Sequence, residues 1–132
     1  MSLKPDINKT AVNIEWMQGI EGIAKDKWNS LTEPLETPLM DSDWLRAFES
    51  SGSMSPEQGW LPYHLTISRG KELLAVAPLY VKGHSEGEFV WDYMWADVAS
   101  QLKVQYYPKL IGMSPATPSV GYRFLIAASE DE

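Results

Sequence analysis

A turn between two strand-like segments is the feature that most constrains how this chain can fold. Residues 63–68 alternate apolar and polar side chains, residues 69–71 read Arg-Gly-Lys, and residues 73–81 are almost continuously apolar. Glycine favours the tight turns that join paired strands, and period-two alternation is typical of a half-buried strand. The three segments therefore predict a β-hairpin. Pro78 lacks a backbone donor, so it should lie at a bulge or at a sheet edge.

Strand-like and helical periods also alternate before the hairpin. Residues 11–17 alternate at period two, which predicts a first strand. Apolar residues then recur at helical spacing over residues 20–31 and again over residues 41–51. We predict a helix in each segment, the second one capped by Asp41 and ended by Gly52.

After the hairpin, the sequence predicts further strands and one helix. In chain order, the expected elements are a strand over residues 88–93, a helix over residues 95–102, and strands over residues 110–113 and 122–127. This order predicts a mixed α+β fold with a mainly antiparallel sheet flanked by helices. Trp16, Trp28 and Trp44 fall on the apolar faces of predicted elements, so we place their side chains in the core.

The size and composition of the chain limit its class. With 132 residues, of which 44% are hydrophobic and 22% charged, the chain can form one domain with its own core, which we place over residues 1–132. No apolar run approaches the ~18 residues that a membrane span needs, and no signal-like apolar segment begins the chain. The absence of cysteine fits a reducing compartment. We therefore expect a cytoplasmic protein with no membrane span.

The charge balance and the glycine pattern bear on partners and cofactors. The formal net charge is −7, and the basic residues are scattered, whereas nucleic acid phosphates require clustered Lys and Arg. We expect no DNA partner. An acyl-CoA diphosphate needs a glycine-rich turn at a helix N-terminus. The nearest segment, residues 83–87, is flanked by Glu86 and Glu88, which would repel a diphosphate, so we predict no cofactor site in this chain.

Residues 84–92 carry the side chains best suited to chemistry. His84, Glu86 and Glu88 occur at alternate positions, so an extended backbone would present them on one face, as a general base or a cation site. A solvated loop entering a strand explains the same pattern. No fourth ligand occurs at a motif-like spacing, so we predict no metal site. Glu88, Asp92 and His84 remain as candidate catalytic residues.

Asp92 has an unusual position between two aromatic residues. Burial there would raise the pKa of its carboxyl group unless a basic partner such as Lys109 or Arg123 were near. A carboxylate of this kind is a candidate base for an attacking amine.

Aromatic residues cluster in the same half of the chain. They either pack in the core or form a stacking platform for a sugar or a base. Prolines fix an irregular path over residues 107–118, which suits either a strand crossover or recognition of a negatively charged or peptide-like substrate. The candidate substrate-binding residues are Trp91, Trp95, Tyr107, Lys109, Thr117 and Arg123.

Several motifs, by their order and spacing, resemble one known family. They read Phe-Glu-Ser-Ser-Gly at 48–52, Gly-Trp-Leu-Pro-Tyr-His-Leu at 59–65, Ala-Pro-Leu-Tyr-Val-Lys at 77–82 and Tyr-Tyr-Pro-Lys-Leu at 106–110. On these residues the chain resembles the N-terminal part of the FemAB-like proteins of peptidoglycan biosynthesis or recognition. The fold that this resemblance implies is one half of an acyl-CoA N-acyltransferase-like (GNAT-like) protein.

The resemblance also implies a function. FemAB-like proteins pair two GNAT-like halves and are expected to transfer an acyl or aminoacyl group to an amine. The full-length protein would then use acyl-CoA or aminoacyl-tRNA, with a peptidoglycan precursor as acceptor, and this half alone should be inactive. The alternative is a complete, non-catalytic module that binds a cell-wall precursor or a protein partner.

One half of such a protein would leave the edge of its final strand, over residues 122–127, without a neighbouring strand. We expect this edge either to dock on a missing C-terminal half or to form a homodimer.

Overall fold

The computed structural model of the protein describes residues 11–130, which form a mixed α+β fold with antiparallel sheets. The strands within this range are β1 (Asn13–Met17), β2 (Trp60–Pro62), β3 (His64–Arg69), β4 (Glu72–Ala77), β5 (Tyr80–Lys82), β6 (Lys109–Ile111) and β7 (Leu125–Ile126). The α-helices are α1 (Lys25–Thr32), α2 (Ser42–Ser50) and α3 (Tyr93–Gln101). The α+β class is thus confirmed. The predicted single domain over 1–132 includes residues at both ends that lie outside the described range.

The strands form two antiparallel sheets. The first has the order β1-β3-β4-β7, and the second has the order β2-β5-β6. The predicted hairpin is β3 and β4, which turn at Gly70 with a φ of 59°. A left-handed backbone of this kind favours glycine, which has no Cβ to clash.

The apolar run that was predicted as a single strand is broken at Pro78. The strand β4 ends at Ala77, and β5 begins at Tyr80 in the other sheet. Proline has no backbone donor, so the first ladder cannot continue through Pro78. The expectation that Pro78 interrupts a regular ladder agrees with the structure. One run of chain therefore supplies a strand to each sheet.

The core lies between the first sheet and the helices α1 and α2. Its buried cluster includes Trp28, Leu45, Val76 and Leu125. The indole Nε1 of Trp28 donates to the carbonyl oxygen of Met40 at 2.8 Å, so the largest core side chain is also hydrogen-bonded. Burying a large apolar side chain stabilises the fold by about 1.5–3 kcal/mol. The core position predicted for Trp28 is confirmed.

Helix α2 begins where the sequence predicts it. Asp41 is its N-cap, and Asp41 Oδ1 accepts a hydrogen bond from the backbone N–H of Asp43 at 2.8 Å. Gly52 follows the helix with a φ of 78°. The cap satisfies one of the free N–H groups of the first turn, and the glycine allows the chain to leave the helix.

The core positions predicted for Trp16 and Trp44 are wrong. Trp16 is 44% exposed and stacks on Tyr63 with ring centroids 4.7 Å apart, while Trp44 is 36% exposed. Trp16 lies on the face of the first sheet opposite α1 and α2, and that face has no helix over it among the described residues. Trp44 lies on the outer flank of α2, against Phe48.

The face of β3 that points to the core is the polar one. His64 is fully buried and Thr66 is 6% exposed, whereas Leu65 and Ile67 are only half-buried. The helices α1 and α2 cover the His64 face, so this face becomes the interior in spite of its polar residues.

His64 connects three parts of the fold. Its Nδ1 accepts from the backbone N–H of Leu79 at 3.1 Å, so Nε2 carries the proton and donates to Glu49 Oε1 at 2.8 Å. Glu49 Oε2 in turn accepts from the backbone N–H of Ile20 at 2.7 Å. The buried ring therefore ties β3 to the break between β4 and β5 and to helix α2.

The last strands are shorter than predicted. Residues 110–113 and 122–127 form strands only over β6 and β7. Ser114 Oγ donates to the Leu39 carbonyl oxygen, so the chain crosses beside Leu39 before it reaches β4. Strand pairing begins where the chain meets β4, at Leu125. No helix in residues 11–130 is long and apolar enough to cross a membrane.

Candidate functional site

Residues 83–92 connect β5 to α3, and the strand predicted over residues 88–93 is wrong. The chain turns at Glu86 and Gly87, where the φ of Gly87 is 76°, and Asp92 is already the N-cap of α3. Instead of pairing its backbone with a neighbouring strand, this connection directs the side chains of Glu88 and Asp92 to two lysines.

Glu88 forms a largely buried ion pair with Lys82 of β5. Lys82 Nζ donates to Glu88 Oε1 at 2.7 Å, and Trp60 Nε1 donates to the same oxygen at 2.6 Å. The Lys82 ammonium also lies 4.1 Å from the centroid of the Trp60 ring. A lysine that is only 3% exposed needs such partners, because burying an unpaired charge is costly. Charge-assisted hydrogen bonds of this kind hold the carboxylate in one orientation.

Beside this ion pair lies a cavity of about 520 Å³, which we call the Glu88 cleft. It separates the turn after α2 from the turn at Gly87. Phe48, Met54, Trp60 and Phe89 supply its apolar walls. Glu86 and Glu88 line it as well, and no basic side chain of the described residues does. A volume of this size suits a small ligand or part of a larger one.

Glu88 Oε2 is the free acceptor of the cleft. Among residues 11–130, the donors to Glu88 reach only Oε1. The Glu88 side chain is 12% exposed and lines the cleft, and Oε2 is not a fully buried atom, so this oxygen remains accessible. The carboxylate is therefore fixed by the protein on one oxygen and open to a ligand on the other.

The chain turns at Glu86 and Gly87, so that Glu86 and Glu88 line the cleft and His84 does not. The backbone N–H of Glu86 donates to His84 Nδ1 at 3.3 Å, and the His84 ring packs against the backbone of Gly59. Within the described part of the chain, no group of three His, Asp or Glu residues is placed to hold a metal ion. His84 lies behind the turn, where it supports the wall of the Glu88 cleft.

Asp92 is the centre of a second polar cluster, with Lys109 as its partner. Tyr106 donates to Asp92 Oδ2 at 3.1 Å, Tyr107 donates to Oδ1, and Lys109 Nζ donates to Oδ2. The Lys109 ammonium lies 4.0 Å from the centroid of the Tyr106 ring. Of the two basic partners suggested by the sequence, Lys109 is present, whereas the guanidinium of Arg123 donates to the Tyr122 carbonyl oxygen instead.

These contacts determine the protonation of Asp92. Burial raises the pKa of its carboxyl group, but hydrogen bonds from Lys109, Tyr107, Ser85 and Tyr106 outweigh this effect and hold the pKa well below the usual range. Burial lowers the pKa of Lys109, and its bonds to Asp92 and Tyr106 raise it above the ordinary value. Asp92 is thus a weak base whose oxygens are occupied. Its ion pair with Lys109 joins the N-terminus of α3 to β6.

The other predicted binding residues lie apart from the Glu88 cleft. Trp91 and Trp95 line a separate, open cavity of about 500 Å³ along α3. Thr117 Oγ1 accepts from the backbone N–H of Ser119 at 3.1 Å and does not line either cavity. Tyr107 and Lys109 both donate hydrogen bonds to the Asp92 carboxylate. Core packing does not explain the aromatic side chains near α3, since Trp91 and Trp95 are each 70% exposed.

Sequence reasoning missed Trp60 and Lys82 as members of the site. A signal for Lys82 was present, because a lysine inside an apolar strand requires a carboxylate or an aromatic ring nearby. The partner of Lys82 is Glu88, and their contact depends on the turn at Gly87. The alternating pattern indicated an extended backbone there and not a turn.

The fold and the site define an α+β domain with antiparallel sheets and an acidic, aromatic cleft of small-ligand size. Residues 19–132 match the model of the FemAB-like family, described as peptidoglycan biosynthesis/recognition, and the chain belongs to this family. The family description indicates a role connected with peptidoglycan. Comparisons with curated proteins and with solved structures gave no match.

Proposed function

We propose that the Glu88 cleft binds the amine-bearing part of a peptidoglycan precursor, and that this chain is the acceptor-binding, GNAT-like half of a cytoplasmic N-acyltransferase. One observation carries the proposal. Glu88 lines a cavity of about 520 Å³ and is held by Lys82 and Trp60 through Oε1, while Oε2 accepts from no donor among residues 11–130.

The charges of the cleft favour a cationic ligand group. Lys82 neutralises much of the charge of Glu88, but Glu86 adds an exposed carboxylate that has no ion-pair partner among residues 11–130. With no basic side chain among its described lining residues, the cleft attracts an ammonium group and repels phosphate. The rings of Phe48 and Phe89 in the cleft wall offer further attraction to a cation.

The proposed reaction follows from this placement. The acceptor amine attacks the carbonyl carbon of an acyl thioester or an aminoacyl ester, forming an amide bond and releasing the thiol or the hydroxyl group. Glu88 Oε2 is positioned to orient the amine and to accept the proton that it loses. The donors named for this family, acyl-CoA and aminoacyl-tRNA, carry phosphates, so the donor would bind outside the Glu88 cleft.

The alternative function, a complete binding module without catalysis, is less consistent with the surface of the domain. A self-sufficient soluble domain normally covers large apolar faces. Here the side chains of Phe89, Trp91, Met94 and Trp95 are each at least 70% exposed on neighbouring parts of the chain. This surface favours a domain that works together with another folded unit.

The proposal is tested by calorimetric titration with a soluble precursor, UDP-N-acetylmuramyl pentapeptide carrying a diamino acid. We expect the wild-type chain to bind this compound and to bind its amine-acetylated form at least about 10-fold more weakly, since the acetylated form has no charge for Glu88. Equal binding of the two compounds would overturn the proposal.

Two variants refine this titration. Glu88→Gln should weaken binding of the amine form about 10-fold and abolish the preference for it over the acetylated form. Glu72→Gln makes the same charge change at an exposed position of β4, remote from the cleft, and should leave binding unchanged. Because Glu88→Gln leaves Lys82 unpaired, the double variant Lys82→Met/Glu88→Gln serves as a folded comparison.

A further inference from the structure

Five apolar residues form a continuous stripe along helix α3. Three of them lie in the helix, at Met94, Trp95 and Val98, and the other two lie just before and just after it. Four of the five are at least 69% exposed, and Val98 is 46% exposed. We call this surface the α3 stripe, and its members are Trp91, Met94, Trp95, Val98 and Leu102. Exposure reaches 84% at Met94 and 70% at each tryptophan.

The helix that carries the stripe is poorly supported within the chain. No residue of α3 is buried. Among residues 11–130, its side-chain hydrogen bonds to other elements are at the N-terminal end, where Asp92 joins Lys109 and the Tyr93 hydroxyl donates to the Ser85 carbonyl oxygen at 3.1 Å. Isolated helices shorter than about 12–15 residues are marginal in water, and most helical stability comes from packing of an apolar face. A nine-residue helix with an open apolar face needs a surface to pack against.

We propose that the α3 stripe is a self-association surface, on which the stripe of a second copy of this chain packs antiparallel about a two-fold axis. The exposed area of the stripe is large enough for such a contact. Aromatic side chains have roughly 150–250 Å² to bury, so the exposed parts of the five residues amount to on the order of 700 Å². Two such stripes would bury about 1,400 Å², within the range of roughly 1,200–2,000 Å² for specific interfaces.

The residue sizes along the stripe also suit this arrangement. In an antiparallel pair centred between Trp95 and Val98, these two residues face each other across the axis. Each large ring then lies opposite a smaller side chain, which is the condition for interdigitated packing. A two-fold axis makes the contact closed, so it yields a dimer rather than a chain of copies.

The stripe carries no charge of its own, although the chain has a net charge of −7. Asp92 is paired with Lys109, and Asp97 accepts a hydrogen bond from Gln101 on the flank of the helix. Attraction between the two stripes is therefore apolar, and it is opposed by the repulsion of two acidic molecules. Because salt screens that repulsion, we expect association to strengthen as salt is added.

This surface differs from the strand edge considered from the sequence. The strand β7 has two residues, so an edge-to-edge contact there offers few backbone hydrogen bonds. The stripe also differs from the Glu88 cleft, and the inference does not rest on the proposed function.

Sedimentation equilibrium over a wide protein concentration range tests the proposal. We expect the wild-type chain to form dimers with a dissociation constant on the order of 1–100 µM and to dimerise more tightly at higher salt. Met94→Glu should weaken the dimer at least about 10-fold, because a carboxylate would be buried within the interface. Met94 is 84% exposed, so this change should leave the fold of the monomer intact, as far-ultraviolet circular dichroism would verify.

A matched variant separates the stripe from the other exposed apolar surface. Ile14 is 59% exposed on the open face of the first sheet, and Ile14→Glu should leave the dimer unchanged. A dimer that Ile14→Glu disrupts and Met94→Glu does not would overturn the proposal. A wild-type chain that stays monomeric at the highest concentration would also overturn it, as would a monomer that instead binds neutral lipid vesicles through the stripe.

Discussion

Lys82 of β5 and Lys109 of β6 lie directly opposite each other in the second sheet. The side chains of such a pair share one face with Cβ atoms roughly 5 Å apart, where like charges repel. Each lysine binds its own carboxylate, Lys82 to Glu88 and Lys109 to Asp92. Both carboxylates come from the connection between β5 and α3. That connection therefore neutralises two cations that the sheet places side by side.

Removing the charge of Glu88 should destabilise the fold strongly. Glu88→Gln leaves Lys82 buried opposite Lys109 without a carboxylate, which we expect to cost about 3 kcal/mol in the free energy of unfolding. Lys82→Met/Glu88→Gln removes the buried charge together with its partner and should recover most of that loss. Urea denaturation of the two variants measures both effects. A double variant as unstable as Glu88→Gln alone would contradict this account.

Asp92 should contribute stability that depends on acid pH. Its pKa is depressed in the folded chain, so its contribution is present above the unfolded pKa of about 3.9 and is lost as pH falls towards the folded pKa. Asp92→Asn should cost about 1–3 kcal/mol at pH 7, and the difference from wild type should shrink at pH 3. Urea denaturation at the two pH values checks this.

The control for Asp92 is Asp97→Asn, which alters an exposed carboxylate of α3 and should change stability by less than about 0.5 kcal/mol. A gap between wild type and Asp92→Asn that widens at low pH would show that the sign of the linkage is wrong.

The buried imidazole of His64 should be essential to the fold. His64→Phe keeps an aromatic ring but leaves the Leu79 N–H and Glu49 Oε1 without their partner, which should cost about 3 kcal/mol. Glu49→Gln keeps a hydrogen-bonding group at the same place and should cost less. Thermal unfolding of both variants gives the comparison, and a smaller loss for His64→Phe than for Glu49→Gln would be the contrary result.

Gly59 should resist substitution for two separable reasons. Its φ is 77°, and a Cβ added there would lie 2.7 Å from His84 Nε2. Gly52 has nearly the same φ, 78°, but open space around it. Gly52→Ala should therefore cost about 1–2 kcal/mol for the left-handed backbone alone, and Gly59→Ala should cost more.

In a chain that carries His84→Ala, the cost of Gly59→Ala should fall to that of Gly52→Ala, because only the backbone strain remains. Chemical denaturation of the four variants measures this. An undiminished cost in the His84→Ala background would mean that the imidazole is not the obstacle.

The sequence predicts best where local chemistry decides the structure. The cap at Asp41 and the turn at Gly70 need only neighbouring residues, and both lie where the pattern places them. The place of Pro78 follows from its missing donor. The burial of His64 depends on which face of β3 the helices cover, and no local pattern contains that information. The apolar residues of this alternation, Leu65 and Ile67, lie on the less buried face.

The candidate site was only partly predictable for a related reason. The importance of residues 84–92 follows from their composition, and the Asp92–Lys109 contact was among the partners considered. The sequence did not indicate that both oxygens of Asp92 accept hydrogen bonds whereas Glu88 accepts through one oxygen. This difference depends on how many donors surround each carboxylate. Trp60 reaches Glu88 from a strand 28 residues earlier, whereas Lys82 lies only six residues before Glu88. The exposure of Trp91 and Trp95 could not be predicted, because tryptophan side chains are usually buried.

The break at Pro78 has a consequence for reading mutational scans of this chain. Val76 belongs to the core and Lys82 holds Glu88 beside the cleft, yet they lie on one short run of backbone that changes sheets between them. A substitution that shifts β4 within the core will displace β5 and so alter the cleft. If substitution of a core residue such as Val76 lowers ligand affinity, the cause would therefore be movement of the backbone and not the loss of a contact with the ligand. Only substitutions that leave the folding stability unaltered can be used to map the ligand site.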